Sequence, residues 1–242
     1  MNTSTATPAS TTPRAALSWS AGKDGCLAWL RAREQGIEVG TFVTMCDGEG
    51  PSLSHALPRE WLARQVAACG VAWRAVDVYH GNHGGNHGGS PGGYAAAFDR
   101  TLAELRCEGH THMVFGDIDL AAHRDWIAPR CEAAGLVPLF PLWGENRAAL
   151  AQEVIDRGIQ ARLVAVDTGR LDAAFCGEAY DAALLARLPP GVCPCGEDGE
   201  FHTAVTFAPG MLHAVPLPDH GVQVVASAPP LLPTRIARLV FE

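Results

Sequence analysis

The sequence has no apolar run approaching the roughly 20 residues that a membrane-spanning helix needs. Its first residues do not read as a secretory signal. Residues 1–16 are mainly Thr, Ser, Ala and Pro with one Arg, and no basic start leads into an apolar core. These absences predict a cytoplasmic protein with a disordered tail over residues 1–16. Lysine is scarce. The 18 Lys and Arg, mostly Arg, face 26 Asp and Glu, for a net charge of -8. No basic cluster lies along the chain, so neither a nucleic-acid partner nor a membrane partner is expected. C-x-x-C pairs are missing too. Of the 8 cysteines only Cys193 and Cys195 stand close together, as C-x-C. Without an export signal, buried free thiols are expected. There is no G-x-G-x-x-G, and no Walker A loop, because no glycine stands at the required distance before Gly22-Lys23 and no Ser or Thr follows.

What is present is a chain of 242 residues, 48% hydrophobic, long enough to bury one large core or two small ones. Strand-like runs at Leu17 to Trp19, Val39 to Met45, Val71 to Tyr79 and His112 to Phe115 alternate with helical segments. The helices run from Cys26 to Gly36, from Pro58 to Gly70 and from Tyr94 to Cys107. This alternation predicts an α/β fold: an open, Rossmann-like parallel sheet with helices on both faces. Further helices are expected over Arg124 to Ala134 and Ala148 to Arg157, and strands at Ala161 to Val166 and Val222 to Ala226. The boundary is placed near Gly135, giving a nucleotide domain over 17–135 and a smaller C-terminal α+β substrate domain over 136–242.

The densest chemical signal is Ser18-Trp19-Ser20-Ala21-Gly22-Lys23-Asp24-Gly25. It reads strand, small-residue turn, helix. Gly22 permits close approach of a ligand to the backbone. The helix start presents unsatisfied N–H groups and the positive end of its dipole. Lys23 supplies a point charge suited to phosphate, Ser20 a hydroxyl, and Asp24 a carboxylate that can hold Mg²⁺. The bland alternative is an ordinary strand-to-helix turn with an exposed lysine.

Ser20-Ala21-Gly22-Lys23-Asp24-Gly25 resembles the S-G-G-x-D-S loop of the PP-loop ATP pyrophosphatases, members of the adenine nucleotide alpha hydrolase (HUP) superfamily. The order of several further residues resembles the diphthine–ammonia ligase family. They are His55, Leu62 and Gln65; Tyr94; Phe115 to Ile118 with His123, Arg124 and Trp126; Pro141 to Trp143; and Cys195 to Thr203. The resemblance covers roughly Leu17 to Phe207. It implies ATP and Mg²⁺ as cofactors, held by Ser18, Ser20, Ala21, Gly22, Lys23, Asp24 and Gly25. It further implies an AMP-forming ligase that adenylates a carboxylate acceptor and amidates it with ammonia. The composition, rich in alanine and poor in lysine, looks bacterial, and there the namesake acceptor is not expected, so a different carboxylate is the alternative. Gly25 stands where the family has Ser, Ala21 where it has Gly, Ala95 where an acid follows the Tyr, and Asp198 where Asn is common. Two rivals are a tRNA-modifying PP-loop enzyme and a non-catalytic adenine-nucleotide sensor. Self-association is left open.

Two more groups carry chemistry. Asp117, His123 and Arg124 follow the fourth strand, where ligands sit in open parallel sheets. Arg124 can brace an anion and His123 can move a proton. In the bland reading Asp117 caps the next helix and Arg124 pairs with a surface acid. Glu197, Glu200 and His202 suit general-base work on an amine, against a solvated acidic turn. Cys193, Cys195 and His202 form an incomplete zinc set. The glycine-rich His80 to Gly93 reads as a flexible loop, with His80, His83 and His87 a weak metal trap. Its G-x-S-x-G match lacks the strand that a hydrolase elbow requires.

Overall fold

In the computed structural model the described residues are 13–79, 93–218, 220–226 and 234–241. The His80, His83 and His87 trap, the G-x-S-x-G match and most of the N-terminal tail lie outside them.

β1 (Arg14–Ser18) is the central strand of a five-stranded parallel sheet. Ala15 and Leu17 belong to one core and Ala16 to the other, and all three are fully buried. A strand covered on both faces reads as a continuous apolar run, which is how this segment looks in sequence. The strand starts at Arg14, inside the span expected to be tail, because its neighbours on both sides supply hydrogen-bonding partners from Arg14 or Ala15 onward. After β1 come α1 (Lys23–Glu34), β2 (Glu38–Asp47), α2 (Arg59–Ala68) and β3 (Ala72–Val78). Then follow α3 (Gly93–Cys107), β4 (His112–Val114), α4 (Ala121–Ala133) and β5 (Val137–Leu139). The strand order is β3-β2-β1-β4-β5, all pairs parallel. The order reverses between β1 and β4, and a crevice opens at such a switch point beyond the carboxyl ends of the strands.

β5 pairs with β4, so the parallel sheet runs past the Gly135 boundary expected from sequence. A three-residue strand containing Pro138 carries little periodic signal of its own. The second sheet is antiparallel, in the order β7-β6-β9-β8. It consists of β6 (Gln160–Asp167), β7 (Phe201–Phe207), β8 (Val222–Ala226) and β9 (Arg235–Leu239), with α5 (Arg147–Asp156) before it and α6 (Ala182–Arg187) within it. The fold is thus a Rossmann-like α/β core with a smaller α+β part.

Helix α1 explains how the two sheets join. Lys23, Gly25, Cys26, Leu27, Ala28, Trp29, Leu30 and Ala32 are all buried, and only Asp24 and the last-turn residues Arg31, Arg33 and Glu34 reach solvent. A helix buried all round must be covered on both sides. One core cluster joins Leu27 and Trp29 of α1 to Leu62 and Val66 of α2, and continues to Leu163 and Val166 of β6 and Val205 of β7. The opposite face of the parallel sheet packs against α3 and α4 through Phe98, Leu102, Leu105 and Cys131. All eight cysteines are free thiols, and all but Cys107 are buried. Among the described residues no helix is long and apolar enough to cross a membrane.

Candidate functional site

The loop between β1 and α1 lies at the switch point. Trp19 leaves β1 and stacks on Phe42, ring centroids 4.3 Å apart, while its indole N–H donates to Gln65 Oε1 at 2.9 Å. Ala21 takes a positive φ of 70°, a conformation that costs an L-residue about 1–2 kcal/mol and that glycine adopts freely. Three bonds hold this strained loop. Gln65 Nε2 donates to the Ala21 carbonyl at 3.3 Å and to the Val205 carbonyl at 2.7 Å. The Val205 amide donates to the Ala21 carbonyl at 2.9 Å. The loop is therefore clamped to β7 of the second sheet.

The loop amides divide into two groups. Gly22 N donates to Ser20 Oγ at 3.3 Å and Lys23 N to Thr203 Oγ1 at 3.2 Å. Cys26 N makes the first intrahelical bond, to the Gly22 carbonyl. The Asp24 and Gly25 amides lie between these, in the first turn of α1, where the helix itself offers them no acceptor. Gly116, just past β4, packs closely against this helix start. A Cβ there would stand 2.7 Å from Gly25 N, whereas a Cβ on Gly25 itself would meet nothing closer than 3.7 Å. Gly116→Ala is thus expected to cost about 1–3 kcal/mol through overpacking. Gly25→Ala should be neutral or should gain up to about 1 kcal/mol of helix propensity. Chemical denaturation of both variants checks the contrast, and equal stabilities would refute it.

Lys23 departs from its expected role. It is buried, with 2% exposure, and its ammonium is turned into the interior. It bonds Asp24 Oδ2 at 2.7 Å and the Cys195 carbonyl, and lies over the rings of Tyr180 and Phe201 at 5.4 and 5.7 Å. Burial pulls its pKa down, but Asp24, Tyr180 and Cys195 outweigh that and leave the ammonium held above its ordinary range. Lys23 therefore joins the loop to the second sheet instead of pointing at a ligand. Asp24 keeps its other oxygen, Oδ1, buried and without a partner.

A cavity of about 630 Å³ is lined by Ser18 at the end of β1 and by Tyr94, Phe98, Phe115, Asp117, Ala122, His123 and Trp126 among others. Its walls are largely aromatic. Asp117 does not cap α4, whose N-cap is Leu120 with no side-chain bond. Instead Asp117 Oδ1 meets His123 Nδ1 at 3.0 Å, which leaves His123 Nε2 unengaged by the carboxylate. Arg124 is not brought to the cavity. Its guanidinium stacks on Trp143 at 4.4 Å and pairs with Asp125 at 3.2 Å, in keeping with the bland reading.

The Cys193 to Thr203 turn approaches from the second sheet. Glu200 is buried and both its oxygens are taken, by Cys193 N at 2.8 Å and Asp198 N at 3.1 Å. It shapes the turn and is not free to act as a base. Cys195 Sγ donates to the Arg147 carbonyl and Cys193 Sγ accepts from the Arg147 guanidinium, so neither thiol faces His202. Among the described residues no three metal-ligating side chains gather. Glu197 is the perturbed acid. Burial, and then the charge of Asp24, push its pKa up to about 7.

The sign of that shift fixes a prediction. Between the ordinary glutamate value and about 7 the folded state binds the proton that the unfolded state has lost, so stability falls as pH rises through that window. His202, held down at about 4 mainly by burial and then by Lys23, acts oppositely, because the unfolded state binds its proton first as pH falls. The Glu197 contribution is therefore read as a difference. Glu197→Gln should gain on the wild type as pH rises from 5 to 7.5, by about 2 kcal/mol after allowance for partial exposure. Parallel pH–stability curves for the two proteins would rule this out.

Several residues here were not assigned from sequence. Arg147 bonds Asp119 at 2.6 and 2.8 Å and Asp198 at 2.9 Å, bridging the β4–α4 loop to the turn. Its partners are 28 and 51 residues away, so no local pattern marks them. Gln65, His55 and Thr203 carried a signal only as parts of the resemblance. Comparison of the chain with protein-family models and with curated proteins found no match.

Proposed function

We propose that the chain binds ATP at the Ser20–Gly25 loop and acts as an AMP-forming ligase related to the diphthine–ammonia ligases. The observation that carries the reading is the strand–turn–helix loop at the β1/β4 switch point, with a 630 Å³ cavity that Ser18, at the end of β1, helps to line. Helix-start amides at such a position favour a phosphate group. Asp24 fits Mg²⁺, because its Oδ1 is buried and unpartnered and one carboxylate suffices for an ion that keeps water and phosphate as its other ligands. Mg²⁺ there supplies charge to the phosphates.

The reaction has two steps. A carboxylate oxygen of the acceptor bonds to the α-phosphorus of ATP, and pyrophosphate leaves. Ammonia then bonds to the acyl carbon, AMP leaves, and one proton is released. The loop amides orient the departing phosphates. The Asp117–His123 pair is placed to take the proton from the attacking amine at Nε2, since Asp117 holds Nδ1. Glu200 has no part in this step.

A second reading, nucleotide binding without turnover, draws on two observations. Lys23 and Glu200, both expected to act on substrate, are engaged in internal bonds. Calorimetric titration with Mg²⁺-ATP, with AMP as comparison, tests what the readings share. Saturable ATP binding that Asp24→Asn weakens is the expected result, and no binding would overturn both. Release of AMP with a panel of carboxylate acceptors and ammonia then separates ligase from sensor.

A further inference from the structure

His55 precedes α2 and His202 lies on β7, yet their imidazoles stack with centroids 4.6 Å apart and planes 25° from parallel. The pair sits against the phosphate loop. A Cβ on Gly22 would stand 2.7 Å from His55 Cε1, so glycine is the residue that lets the ring approach. His55 Nδ1 is buried and has no partner. An orphaned ring nitrogen costs about 1–3 kcal/mol, so it marks a place where a ligand atom belongs.

The charges around the pair indicate the ligand's sign. Lys23 is the cation that acts on both rings, with Asp24 paired to it, and the Thr203 backbone favours protonation of His55. Burial first, and then His202 and Lys23 for His55 and Lys23 for His202, hold both imidazoles toward the neutral form in the free protein. In the neutral tautomer that carries its proton on Nε2, Nδ1 is a lone pair. It can donate from Nδ1 to an oxyanion only after gaining a proton.

We infer that His55 and His202 form the wall of the site facing the loop, and that His55 takes up a proton and donates from Nδ1 to a phosphate oxygen of the bound ligand. This rests on the reading of the loop as a phosphate site and adds a recognition group from outside it. The ligand class is a di- or triphosphate, free or at the end of a nucleotide. No bond is made or broken except at the proton, which comes from solvent. The stacked His202 and Lys23 both oppose the new charge, so the ligand's own negative charge must outweigh them.

The test is a titration of the full chain, labelled with ¹⁵N-histidine, with inorganic pyrophosphate and separately with Mg²⁺-ATP at pH 7. Single His55→Phe and His202→Phe variants assign the two imidazoles and retain a stacked ring. The expected result is that saturation moves the His55 ring nitrogens from neutral to protonated shifts. His55→Phe should lower pyrophosphate affinity at least about tenfold, or 1.4 kcal/mol, with part of the loss recovered in His55→Asn, whose side-chain amide donates near the Nδ1 position. Saturable binding of either probe with neutral His55 shifts would overturn the inference while leaving the nucleotide reading intact. Pyrophosphate binding that protonates His55, with no binding of ATP, would support the inference and overturn the nucleotide reading. Failure of both probes to bind would overturn both.

Discussion

Gln65→Ala is expected to remove about 4 kcal/mol of stability, the largest loss of any single substitution considered. Gln65 is fully buried and serves three partners. Truncation leaves the Trp19 indole N–H without an acceptor and withdraws the side-chain donor from the Ala21 and Val205 carbonyls. Each buried group left unsatisfied costs about 1–3 kcal/mol, and the cavity adds to this. Val205 N still reaches the Ala21 carbonyl, which keeps the total at the lower end. For a chain of this size the loss corresponds to a fall in Tm of about 10 °C. Gln65→Met, which keeps the volume, should recover only the cavity part. The loop should loosen as well, because Ala21 holds its left-handed conformation against strain. A Tm within about 2 °C of the wild type would show that β7 alone holds the loop.

Lys23→Met is expected to cost about 3 kcal/mol of folding stability, separately from any effect on ligand binding. The variant keeps an apolar side chain of similar length but removes the ammonium from Asp24, the Cys195 carbonyl and the faces of Tyr180 and Phe201. Breaking a buried ion pair by deleting one partner typically costs about 3–5 kcal/mol, and the 22% exposure of Asp24 favours the low end. A lysine aimed at phosphate would behave otherwise. Its removal would leave the Tm unchanged and weaken ATP binding alone. Thermal melts with and without Mg²⁺-ATP separate the two cases. Loss of stability in the free protein supports the structural role, and loss confined to the liganded protein overturns it.

Much of the architecture was legible because local pattern and burial coincide. β1 reads as an apolar run because both its faces are covered, and α2 reads from Trp61, Leu62 and Val66, which are all buried. The loop reads from its small residues at a strand-to-helix turn. Elements with little pattern of their own were misread at their edges. Arg14 looks like tail until β2 and β4 are placed beside it, and β5 joins the first sheet although only three residues pair.

At the candidate site the sequence determined which chemistry is present, and the tertiary structure decided which groups are free to use it. Ser20 to Gly25, Asp117 and His123 are legible as types in a pattern, because a turn, a helix start and the end of a strand are local features. What Lys23 and Glu200 do is not local. Lys23 is the only lysine in the chain, and its bond to Cys195 spans 172 residues. Glu200 is consumed by two amides of its own turn. His55 and His202 become a pair only when the segment before α2 meets β7 at Gly22. The physical reason is that a charged or polar side chain takes its role from the partner that compensates its burial. That partner is fixed by how the two sheets pack, and no stretch of sequence contains it.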